Sequence, residues 1–150
     1  MIARVRRILA RDDSGAAVVE FVVLVVLVLV PVVYVVLAAM RVQAGAYAVT
    51  QAAREAGRAF VQAESPGQAT SDARLATAIA LRDQGFDLRP GVLSVDCGGP
   101  CLAPGSTVDV AVTLRVSLPF LPDSLADTTA GSIRVSAHHT VPVDEYRGMP

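Results

Sequence analysis

Residues 21–40 read FVVLVVLVLVPVVYVVLAAM, from Phe21 to Met40, and this stretch decides the architecture. It holds twenty residues without a charge, fifteen of them Val, Leu or Phe. A helix of that length spans about 30 Å, the thickness of the hydrocarbon core of a bilayer. On an insertion scale the fifteen large apolar side chains contribute roughly −5 to −9 kcal/mol together. Pro31, and Glu20 just before the run, reduce this without reversing it. The segment is predicted to insert into a membrane.

Arginines set the expected orientation. Arg4, Arg6, Arg7 and Arg11 precede the run, whereas only Arg41 falls in the dozen residues after it. The positive-inside rule places the N-terminus in the cytoplasm and residues 41–150 outside, across the inner membrane. The chain has 150 residues, 53% of them apolar, a mean hydropathy of +0.50 and 13 Arg against 14 acidic residues. That leaves room for one small domain beyond the span. A net charge of −1 gives no footprint for nucleic acid.

Four zones follow: a basic leader over 1–15, a transmembrane helix over 16–40, its extracytoplasmic continuation over 41–62, and a small α+β domain over 63–150. The continuation contains no proline, and Ala44, Ala48, Ala52 and Ala56 recur at every fourth position, on one helix face. Unbroken from Ala16 to Gln62, the helix would be roughly 70 Å long. Pro31 is expected to kink it. The alanines, with Gly45 and Gly57, suit close helix packing; the same stripe equally suits cover by this chain's own sheet. Arg54, Glu55 and Arg58 read as a solvated face.

Ser65-Pro66-Gly67 breaks the chain. Ser71-Asp72 reads as the N-cap of a second helix, with Leu75, Ile79 and Leu81 as its apolar positions and Gly85 as its stop. Beyond Pro90 the period changes to two. Leu93, Val95 and Cys97 alternate with polar residues, as do Val108, Val110, Val112, Leu114, Val116 and Leu118, and then Ile133, Val135, Ala137, His139 and Val141. These predict a three-stranded antiparallel sheet with one apolar face on the long helix.

Cys97 and Cys101 flank Gly98-Gly99-Pro100 between the first two strands. In an oxidising compartment they can form a structural disulfide. A zinc site needs more ligands than this pair offers, and a redox pair more often has the Cys-x-x-Cys spacing. His138 and His139, adjacent in a strand, would point to opposite faces. No nucleophile elbow, phosphate loop or metal-binding helix motif occurs, so neither an enzyme nor a cofactor is expected.

The junction Ser14-Gly15-Ala16-Ala17-Val18-Val19-Glu20-Phe21 remains. A basic leader ends in glycine, and an apolar helix follows with glutamate at its fifth position. This resembles prepilin-type processing sites, and specifically those of TadE-like minor pseudopilins of tight-adherence (Tad/Flp) pilus systems. Glu20-Phe21 departs from the Glu-Tyr of many similar pilins and favours the TadE-like members. The ending Val141-Pro142-Val143-Asp144-Glu145-Tyr146-Arg147 is similar too. The resemblance implies a pilin-like fold and cleavage between Gly15 and Ala16 by a membrane-embedded prepilin peptidase. Its other implied partners are sibling pseudopilins, the major pilin, and platform and motor proteins. Two alternatives stand beside it. One is an uncleaved, signal-anchored binding domain that does not polymerise. The other is a secreted protein cut near Ala38-Ala39-Met40 or Ala44-Gly45-Ala46, although twenty apolar residues exceed the usual signal core.

Overall fold

A computed structural model describes residues 2–122, 124, 128 and 131–147, with side chains from Ala16 onward. The architecture is α+β. Helix α1 runs over Ile2–Gln62 and α2 over Pro66–Asp83; strands β1 (Leu93–Cys97), β2 (Thr107–Ser117) and β3 (Ser132–Pro142) follow. The strands form one antiparallel sheet in the order β1-β2-β3. Two compact units divide the chain, one up to Ala38 and one from Ala39 on.

Beyond Glu20, α1 in the first unit is apolar on every face, and none of its described side chains, from Ala16 on, is buried. The large apolar residues from Val18 to Leu37 are 39–67% exposed. A helix with that composition needs a nonpolar surrounding, which makes α1 a candidate membrane span. The helical assignment continues through Pro31.

The second unit holds the core. On α1 the buried positions are 45, 48, 49, 52, 53, 56, 57, 60 and 63 just beyond the helix end, a helical stripe of mostly small residues. Against it lies the apolar row of β2, with Val108, Val110, Val112 and Val116 at most 1% exposed and Leu114 at 5%. Burying each such side chain is worth about 1.5–3 kcal/mol in transfer free energy. The alternation expected from sequence thus sets the inward face of the central strand. In β3 the inward residues Val135, Ala137, His139 and Val141 are only half-buried, because this strand forms a sheet edge. Ile133, expected on the same inward face, is 43% exposed. Leu118 falls just past β2, although its N–H extends the ladder to Gly131 O at 2.9 Å.

Helix α2 corrects two expectations. It starts at Pro66, six residues before Asp72, and its N-cap is Ser65 in extended geometry (φ −139°, ψ 155°). The Gln68 N–H donates to Ser65 Oγ at 3.3 Å, and Pro66 occupies the first turn, where its missing N–H costs nothing. Ser71 instead donates its hydroxyl to Gln68 O at 2.8 Å, inside the helix. The inner face is Ala69, Ala73, Thr77, Ala80 and Leu81, whereas Leu75 and Ile79 point outward at 62% and 55% exposure. The stop is as expected. Gly85, at φ +74°, donates to Arg82 O while Phe86 donates to Leu81 O, the bond pair of a Schellman motif.

Candidate functional site

The junction side chains fall in the first unit. Gly15 lies within the helical span of α1, while its surroundings and the leader arginines lie outside the described side chains. Ala16 and Glu20 are four residues apart, so they share a face of α1, about 6 Å apart along the axis. Glu20 and its neighbour Phe21 (67% exposed) are both exposed among the described residues. Glu20 has no ion-pair or hydrogen-bond partner among the described residues. A carboxylate at the margin of an apolar helix, without a partner among the described residues, is costly to leave in a nonpolar surrounding. Were the chain cut after Gly15, Ala16 would become a helix N-terminus. Its amine and the positive end of the helix dipole would then stand one turn from that carboxylate.

Compared with protein-family models, curated proteins and solved structures, the chain matches none. The likeness to prepilin-type sites therefore stands on the residues Ser14–Phe21 and on the ending of the chain.

The alanine stripe is occupied from within. Ala48, Ala52 and Ala56 are 0% exposed and Ala44 is half-buried, all inside this chain's own core. The two glycines explain why small residues are needed. A Cβ at Gly57 would lie 2.6 Å from Val141 Cγ2 and 3.5 Å from Val110 Cγ2, and one at Gly45 would overlap Val116 Cγ2. The sheet approaches α1 too closely for larger side chains. On the opposite face Arg54, Glu55 and Arg58 are exposed.

Cys97 ends β1 and is bonded to Cys101, with the two Cα atoms 5.4 Å apart. Closing so short a loop stabilises by about 2 kcal/mol on the chain-entropy model. His138 is exposed and His139 faces α1, on opposite sides of β3. Among the described residues no three His, Cys, Asp or Glu side chains gather as a metal site.

Three arginine arrangements escape the sequence reading. Arg147 donates through both terminal nitrogens to Val61 O and Ala63 O, satisfying carbonyls at the end of α1. Arg41 donates to Gly85 O at 3.1 Å and stacks over the Phe86 ring, 4.1 Å from its centroid. Arg115 and Arg134 stand directly opposite each other in the β2–β3 register. Charge counting along the chain reveals none of these pairings, because each joins residues that only the fold brings together. A strict period of two in β2 and β3 does put Arg115 and Arg134 on their outward faces. Only the register makes them neighbours.

Proposed function

We propose that this chain is a minor pseudopilin, an assembly subunit of a Tad-type secretion and adhesion pilus. In this reading the leader is cytoplasmic, and a prepilin peptidase cuts after Gly15. The subunit then assembles by lateral helix packing within the inner membrane, alongside sibling pseudopilins, the major pilin and the platform and motor proteins, and can pass into a surface filament. Chemistry is done to this protein, not by it.

The observation that carries the reading is that Glu20, at the head of an apolar helix, has no partner and that helix no cover among the described residues, four residues from the peptide bond at Ala16 that the leader motif marks for cleavage. Before processing the Ala16 nitrogen is a neutral amide. Afterwards it is a cation, which the Glu20 carboxylate of an adjacent protomer can accept, fixing the stagger between helices. Maturation and assembly are coupled through that charge.

The uncleaved, signal-anchored alternative draws on a different observation. From Ala44 to Ala56 the small-residue stripe is consumed by the chain's own core, which leaves a polar outer face there. Lateral packing is then confined to the apolar run. Glu20→Ala separates the two readings when cleavage and piliation are assayed independently. The pseudopilin reading predicts loss of piliation at least as severe as any loss of cleavage. Normal piliation with Glu20→Ala contradicts it.

A further inference from the structure

One end of the second unit carries a combination that the pseudopilin reading does not use. The contacts of the two α1 glycines fix which end it is. Gly57 lies against Val110 and Val141, and Gly45 against Val116 and Val135. From 57 to 45 the helix covers about 18 Å, and from 110 to 116 a strand covers about 20 Å. Strand β2 therefore runs alongside α1 in the opposite sense, and β3 returns. The end of β2 and the start of β3 lie toward Arg41, the residue that follows the apolar run in the chain. Arg41 in turn binds the α2 stop at Gly85 and Phe86.

Two kinds of side chain meet there. A cleft of about 550 Å³ is lined by Arg41, Arg89, Arg115 and Arg134, with Asp87 as the carboxylate among its lining residues. Arg115 and Arg134 are directly opposed like charges, an arrangement that disfavours the bare sheet. Neither has a carboxylate partner among the described residues. Past Leu118, which still bonds across to Gly131, the chain turns at Phe120. Phe120 is 82% exposed and held at φ +62°, a backbone conformation that bulky residues rarely adopt. From Val116 the ladder continues about 7 Å to Leu118, as far as the level of Arg41, about 6 Å from Gly45 along α1. Phe120 follows two residues after Leu118.

We propose that this end of the unit rests on the lipid surface, with Phe120 in the boundary between headgroups and acyl chains and with Arg41, Arg115 and Arg134 holding the phosphates of anionic phospholipids. The polar layer of a bilayer is about 5–8 Å deep on each side, so the first residues after a spanning run lie within it. A phenylalanine ring can bury at its inner margin, against the acyl chains, and guanidinium groups suit its phosphates. A free phosphate would satisfy the arginines but leave the ring in water, which is why the ligand is assigned as lipid. The inference rests on the membrane-span part of the proposed function and is independent of cleavage and of filament assembly.

The chain contains no tryptophan, so a single introduced one reports unambiguously. The full chain would be reconstituted in phosphatidylcholine vesicles with and without phosphatidylglycerol, using acyl-brominated lipids as quenchers. Phe120→Trp should be quenched and blue-shifted. Tyr146→Trp, beside the Arg147 that caps the far end of α1, should be neither. Val28→Trp, inside the apolar run, tests the span itself: if it escapes quenching, the spanning reading fails. If it is quenched while Phe120→Trp behaves like Tyr146→Trp, the span stands and the proposal is overturned. Phe120→Trp should also be quenched more by brominated phosphatidylglycerol than by brominated phosphatidylcholine, each arginine engaged being worth about fivefold in that preference. Arg115→Gln with Arg134→Gln should abolish most of it without lowering the thermal midpoint, since two opposed like charges are removed. An unchanged preference, or one displaced by millimolar inorganic phosphate, assigns the cleft to something other than lipid.

Discussion

Gly57 occupies the middle of a helix, where alanine is ordinarily better by about 1 kcal/mol. Here the added methyl would meet Val141 Cγ2 at 2.6 Å, a stiff β-branched side chain anchored in β3. Overpacking of that kind costs about 1–3 kcal/mol and should outweigh the gain in propensity. Gly57→Ala is therefore expected to lower the thermal midpoint of the full chain in detergent micelles. Gly67→Ala, with nothing within 4 Å of the new atom, should hold it or raise it slightly. Arg147 offers a second test. Its guanidinium serves two carbonyls at the end of α1, and a hydrogen bond to a charged group is worth about 1.5–3 kcal/mol. Arg147→Ala should show a destabilisation at the lower end of that range in denaturant titration, given its partial exposure. The glycine and alanine stripe was legible as a place of close approach. Its occupant was not, because a sheet and a second helix ask for the same small residues.

Among the elements, β2 was legible nearly residue by residue. Its alternation survives because one face is buried against α1 and the other is open, so period and burial coincide. Helix α2 was misread for the converse reason. Its inner face is built of Ala69, Ala73, Thr77 and Ala80 to fit beside other elements, and its larger Leu75 and Ile79 face outward. Apolar size pointed to the right side at Leu81 and to the wrong one at Leu75 and Ile79. The same reading moved the cap from Ser65 to Ser71. Ser65→Ala should cost about 1 kcal/mol through the lost cap, whereas Ser71→Ala, inside the helix, should change stability by well under that amount. Chemical denaturation of the two variants side by side checks the assignment.

For the whole molecule, the apolar run of α1 is an extended exposed apolar surface, uncovered by any other described residue. Composition alone revealed it, since twenty uncharged residues need no tertiary context to be read. In the proposed account, what that surface packs against is set by what happens one turn before it. Left intact, the leader keeps the Ala16 nitrogen neutral, and Glu20 remains a carboxylate in search of a partner. Removed, it supplies the cation that the account requires. The decisive measurement is the N-terminal sequence and intact mass of the protein extracted from its native envelope. The account predicts a mature chain that begins at Ala16, lighter by the first fifteen residues. A chain that still begins at Met1 contradicts it and leaves a membrane-tethered domain in its place.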